Sequence, residues 1–276
     1  MSIIKFLDEF TSDNLKDRGS SRRDALNTFS SLGKKAAMAA VPFGLGAVSQ
    51  KARATTTAFQ NDSITDALQL ALTLEYLEAE FYNKALDSGV LPTGKPEQIY
   101  MQIAKHENAH VTLLQTALGS SSIPSPEFDF TAGGLFDPFN EDGTGQETAY
   151  GQLLALAQAF EDTGVRAYKG QAGNVMSNPD VLTTALQIHS VEARHASEIR
   201  RLRSLDGWIT LNERGDNMPS QTQAVYNGEE NLIQGGVDVS TLGSGDPFTA
   251  AASSQAYDEI LTGQEASDIA GLFIVQ

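Results

Sequence analysis

The chain has 276 residues, 41% apolar and 20% charged, which is ordinary for a globular protein with a sizeable buried core. A formal charge of −16 argues against nucleic-acid binding, which needs clustered Lys and Arg at the phosphates. The absence of cysteine excludes disulfides, thiolate metal sites and cysteine-ligated iron–sulfur clusters, and no window holds the roughly 18 uninterrupted apolar residues of a membrane span.

The first segment reads as an address. Arg22-Arg23 follow Ser20-Ser21, a small apolar stretch runs from Ala36 to Val48, and Ala52-Arg53-Ala54 has the small-x-small form of a signal-peptidase site. This resembles a twin-arginine export signal, with two departures: Asp24-Ala25-Leu26-Asn27 stands after the arginines, and Lys34-Lys35 precede the apolar stretch. On this reading residues 1–54 are an export signal or N-terminal arm and the protein is exported, with the periplasm as its compartment. Cleavage would leave 10 basic and 30 acidic residues.

Four helices follow. Ser63 with Asp66 is an N-cap signal, and apolar residues recur with helical period from Leu68 through Leu72, Phe81 and Tyr82 towards Gly89. A second helix opens at Pro96 and carries Ile103, Val111 and Leu114 to Gly119. Thr144-Gly-Gln-Glu147 reads as a capping box for a third, which runs through Leu153, Phe160 and Val165 towards Gly170 or Gly173. Asn178-Pro179 starts a fourth, which ends near Gly207.

Short links make helices one and two, and three and four, antiparallel hairpins. Between the hairpins lie about thirty residues rich in Gly, Ser, Pro and Phe, a length unusual in a compact domain. Two helical hairpins joined by one long crossover form a recognised bundle topology. The expectation is an all-α four-helix bundle over residues 60–207 with that crossover between helices two and three. A C-terminal extension, 208–276, adds a further helix from Ser253 to Ile274, set either on the bundle or against a neighbouring subunit of a homo-oligomer.

The chemistry is concentrated on the helices. Two of the four histidines complete Glu-x-x-His, at Glu107/His110 and Glu192/His195, and residues three apart share a helix face. Glu75 precedes Tyr82 by seven residues, as Glu161 precedes Tyr168. The pattern then repeats: Glu75 to Glu161 and Tyr82 to Tyr168 are both 86 residues, and Glu107 to Glu192 and His110 to His195 are both 85. The bundle is thus two copies of one hairpin. With oxygen and imidazole donors only, the metals favoured are iron and manganese, with zinc also accepted.

These residues carry a resemblance. Leu74-Glu-Tyr-Leu-Glu-Ala-Glu-Phe-Tyr82, Ala159-Phe-Glu-Asp-Thr-Gly-Val-Arg-Ala-Tyr168, Ala224-Val-Tyr-Asn-Gly-Glu229 and Ala256-Tyr-Asp-Glu-Ile-Leu-Thr262 resemble the ferritin-like family that includes plant desiccation-related proteins. The resemblance implies two transition metal ions in the bundle core. Glu75 and Glu161 would be terminal carboxylates, Glu107 and Glu192 bridging ones, and His110 and His195 would give one nitrogen each. It also implies reaction with oxygen or peroxide in oxidative or desiccation stress: ferrous oxidation, peroxide reduction or manganese-catalase chemistry. The alternative is a non-enzymatic protective scaffold, or a metal-binding protein whose metal is structural or vestigial.

Other residues near the motifs have several readings. Tyr82 and Tyr168 are donors to the ligand carboxylates, redox-active residues, or core aromatics. Glu78 shares a face with Glu75, but its counterpart in helix three, Gly164, has no carboxylate, so Glu75 is preferred. His106 is one turn before His110, where it either touches the site or, the preferred reading, is an exposed or core donor. His189 faces away from His195, and Asp162 and Arg194 point sideways towards salt bridges.

Overall fold

The computed structural model describes residues 63–216, 218–242 and 248–275. The export reading of residues 1–54 lies outside them. Four long helices dominate: α1 (Ile64–Asp87), α2 (Lys95–Leu118), α3 (Gln146–Val175) and α4 (Pro179–Leu202). The chain starts α1 with a capping box in which the Ser63 hydroxyl accepts from the Asp66 N–H and Asp66 accepts from the Ser63 N–H. Asn178 caps α4 by accepting from the N–H groups of Asp180 and Val181, with proline in the first turn. The hairpins α1–α2 and α3–α4 pack side by side through α1 and α3.

The start of α3 differs from expectation. Gly145 occupies the cap with no side-chain hydrogen bond, so Thr144 does not form a capping box. The carboxylate of Asp137 accepts from the N–H groups of Glu141, Asp142 and Thr144 instead, and folds the approach to the helix around itself. The crossover is correspondingly ordered. It sends Phe130, Phe136 and Phe139 into the core, where Phe81, Phe130, Phe139 and Phe160 meet edge-on or tilted at centroid distances of 5.0–6.3 Å.

Helix α3 does not stop at either glycine. It is buried without a break from Leu153 to Tyr168, so it is covered on its outer face as well as its inner one. The C-terminal extension does the covering. Buried Arg166 donates to the carbonyls of Val225, Asn227, Glu259 and Ile260 and lies 2.7 Å from the Glu229 carboxylate. Arg200 of α4 pairs with Asp162, which also accepts from Tyr226 at 2.9 Å. Glycine at 170 is required here, because a Cβ at that position would lie 1.9 Å from the carbonyl oxygen of Leu261.

The extension is not one helix from Ser253 to Ile274. It holds a two-residue antiparallel ladder, β1 (Ile233–Gln234) with β2 (Val237–Asp238), then α5 (Ala250–Ser254) and α6 (Gly263–Gly271). The break falls where Glu259 to Leu261 turn their backbone to α3: Leu261 N–H donates to the Arg166 carbonyl. Thr262 then starts α6 with a capping box of its own, and α6 packs on α1 and α3 of the same chain. Among the described residues no helix is long and apolar enough to cross a membrane.

Candidate metal centre

Each long helix delivers a buried carboxylate to the middle of the bundle. Glu75, Glu107, Glu161 and Glu192 are all 0% exposed, and His195 is 5% exposed. Their donor atoms form two sets. Glu75, Glu107, His110 and Glu192 make one, and Glu107, Glu161, Glu192 and His195 the other, with the atoms of each set within 4.8 Å of one another. Glu107 and Glu192 belong to both.

The two shared carboxylates divide their oxygens. His110 Nδ1 lies 2.9 Å from Glu107 Oε2, 3.2 Å from Glu192 Oε1 and 3.1 Å from Glu75 Oε2. His195 Nδ1 lies 2.9 Å from Glu107 Oε1, 3.3 Å from Glu161 Oε2 and 3.6 Å from Glu192 Oε2. Each of these two carboxylates therefore has one oxygen in each set. The three-residue interval of Glu-x-x-His, one helical turn, sets this up.

The tyrosines are tied to the centre in a crossed manner. Tyr82 of α1 donates to Glu161 Oε1 of α3 at 2.5 Å, and Tyr168 of α3 donates to Glu75 Oε1 of α1 at 2.5 Å. Seven residues are close to two turns, so each tyrosine is on the stripe of its own helix's glutamate and reaches the glutamate opposite. Burial, then the facing carboxylate, raises both phenols well above their usual range, which keeps them as donors. Of the readings open from sequence, the geometry is that of donors to the carboxylates.

Electrostatics set the metal-free site. Burial, then Glu192, raises the Glu75 carboxyl well above the carboxylate range, and burial raises Glu161 to about 8 despite His195. Burial also acts against the charge of Glu107, but the hydrogen bond from His110 and the close imidazole of His195 outweigh it and hold that group at about 2. For His110 burial is likewise overcome, here by Glu107, Glu192 and Glu75, to about 12; His195 is raised too, against burial, by Glu161 and Glu107.

A test of fit to a metal comes from groups left without proper partners. Glu107 Oε1, Glu161 Oε2, both oxygens of Glu192 and His195 Nδ1 are buried with no hydrogen bond. His195 Nδ1 and Glu107 Oε1 are 2.9 Å apart yet lack hydrogen-bond geometry. Unpaired buried oxygens are costly. Several of them gathered with imidazole nitrogens are a donor set suited to a transition metal cation.

Two residues have a larger part than the sequence suggested. Glu78 is not merely an alternative to Glu75: it too is buried, at 2% exposure, and burial followed by Glu192 raises its carboxyl well above the ordinary range. A Cβ on Gly164 would lie 3.2 Å from Glu78 Oε1 and 3.6 Å from Glu192 Oε2, so the glycine leaves space beside them. His106 is half-buried, and its Nδ1 lies 2.8 Å from His195 Nε2. The remaining candidates lie elsewhere: His189 meets the Val165 carbonyl at 3.0 Å, Asp162 pairs with Arg200, and Arg194 is exposed.

A four-helix bundle with one long crossover and a buried Glu/His cluster defines the class of carboxylate-bundle proteins. The chain belongs to the ferritin-like domain family, whose sequence pattern matches residues 63–205. No curated protein and no solved structure matches the chain significantly.

Proposed function

We propose that the chain is a dinuclear carboxylate protein, holding two iron or manganese ions, or zinc in their place, and reacting with oxygen or peroxide. The observation that carries this is the sharing of Glu107 and Glu192 between two four-residue donor sets, with one oxygen of each carboxylate in each set. Glu75 and His110 complete one position, Glu161 and His195 the other. Four carboxylates would balance the charge of two divalent ions. Bound there, such ions supply redox and Lewis-acid chemistry towards a small oxygen species.

The protein's own contribution is positioning. Tyr82 and Tyr168 hold one oxygen of each terminal carboxylate and leave the other to its donor set. All four of the site carboxylates are withdrawn from solvent, at 0% exposure. We place the activity in oxidative or desiccation stress protection of an exported, periplasmic protein. The support for export is the Arg22-Arg23 segment and its small apolar stretch.

The test is elemental analysis of purified protein, as metal atoms per chain, followed by ferrous oxidation and peroxide consumption by the loaded form. The expected result is close to two ions per chain, lost in Glu107→Ala, with turnover lost alongside. Two ions without turnover would favour a structural or carrier role. A folded protein that takes up no metal would sink the dinuclear reading and favour a protective scaffold.

A further inference from the structure

The two halves of the centre are related by the internal repeat, and the repeat is broken beside one of them. Adding the 85-residue offset to His106 gives Val191, and adding it to Gln102 gives Gln187. A half-buried imidazole in one hairpin therefore corresponds to an aliphatic side chain in the other.

The consequence falls on the two site histidines. Both present Nδ1 to the carboxylates. The far nitrogen of His195, Nε2, lies 2.8 Å from His106 Nδ1, with the two rings nearly parallel at 13° and 5.1 Å between centroids. His106 Nε2 in turn lies 2.6 Å from the side-chain amide nitrogen of exposed Gln102. His110 Nε2 has no hydrogen-bond partner among the described residues.

We propose that His106 is a positioning residue that fixes the tautomer and ring orientation of His195, making the Glu161/His195 position the tighter of two unequal metal positions. This rests on the dinuclear reading above. A neutral imidazole has a single N–H. When His195 spends it at Nε2, donating to His106 Nδ1, its Nδ1 carries the lone pair a metal needs. With the exposed Gln102 amide turned over, which exchanges its nitrogen and oxygen, His106 donates its own N–H from Nε2 to the amide oxygen and completes a chain from the centre to the surface. His110 must select the same tautomer and orientation without such a partner, so its position binds metal more weakly.

The experiment is a titration of metal-free full-length protein with manganese(II) alone, by calorimetry and by electron paramagnetic resonance of free ion. Wild type, His106→Val and His106→Asn are compared. Val copies the repeat counterpart, and Asn keeps a polar atom near the place of Nδ1. Because His106 is only half-buried, both variants should fold, which thermal melting verifies. Wild type should bind in two resolved steps. His106→Val should weaken the tighter step by about 10- to 100-fold, the usual effect of removing a partner behind a metal ligand, and leave the other unchanged. His106→Asn should recover most of that loss.

Two ions bound with His106→Val unchanged, weakened in the weaker step alone, or weakened equally in both overturns the inference while leaving the dinuclear reading intact. Equal loss in His106→Asn and His106→Val overturns the positioning role. A wild type that binds no manganese(II), and no iron(II) or zinc(II) when each is titrated in its place, overturns both readings together.

Discussion

The metal-free protein should lose stability as pH rises through neutrality, and bound metal should restore it. Glu161 is the group that sets the scale. Its carboxyl is raised from 4.5 to about 8, with burial the largest cause. A raised carboxylate favours folding while it is protonated, so its contribution is present below pH 4.5 and is withdrawn as pH climbs to about 8. Each pH unit in that interval is worth about 1.4 kcal/mol, so Glu161 alone removes up to about 5 kcal/mol. Glu75 and Glu78 are raised in the same direction.

His106, lowered from 6.5 chiefly by burial, opposes this trend only up to that pH, and two other groups add to the fall or leave it unchanged. His110 is raised from 6.5 to about 12, so its stabilisation is present below 6.5 and declines above it, adding to the fall. Glu107, held at about 2, favours folding above 4.5 and loses that contribution only as pH drops towards 2. Between about pH 5 and about pH 8, chelator-treated protein should therefore drop in melting temperature by on the order of 10 °C. Protein loaded with manganese(II) should drop far less. Glu161→Gln, neutral at both pH values, should show a smaller fall in the metal-free state. Metal-free protein as stable at the higher pH as at the lower, in calorimetric melts, would refute the reasoning.

Two further substitutions probe the supports of the site. Tyr168→Phe removes the donor to Glu75 Oε1, a hydrogen bond to an ionisable group worth about 1.5–3 kcal/mol, and should weaken metal retention in competition with a chelator; unchanged retention would place Tyr168 among the merely space-filling aromatics. Gly170→Ala sets a Cβ 1.9 Å from the Leu261 carbonyl oxygen, so the extension must lift from α3. The cost should be about 1–3 kcal/mol or more, with faster proteolysis after residue 250; wild-type protease resistance would contradict this packing.

The symmetric part of the centre was legible in the sequence because it rests on local periods. Glu107 with His110, and Glu192 with His195, share a face by their three-residue spacing, and the repeat aligned Glu75 with Glu161 and Tyr82 with Tyr168. What spacing could not give was partner choice across helices. That Tyr82 bonds Glu161, and that Glu78 fills room left by Gly164, follows from how α1 and α3 face each other. The cap of α3 was misread for a related reason. Thr144 has the right residue type, but Asp137, seven residues earlier, takes the loop's amides. The supposed single tail helix failed because Arg166 claims the carbonyls of Glu259 and Ile260, a demand invisible along the tail itself.

The polar residues on the outer face of α3 show how the extension belongs to the site. Gln158, Asp162 and Arg166 recur every four residues, one stripe of the helix, while Glu161 and Tyr168 face inward. Exposed to water, such a stripe would leave α3 an ordinary surface helix, free to shift against α1. The chain instead closes it with Tyr226, Glu229 and Arg200, each buried and each bonded to the stripe. Buried ion pairs add little net stability, but leaving either partner alone is costly, so they lock α3 in one register. That register decides which oxygen of Glu161 meets Tyr82 and which meets His195. The extension therefore acts on the centre by fixing the helix that carries two of its groups.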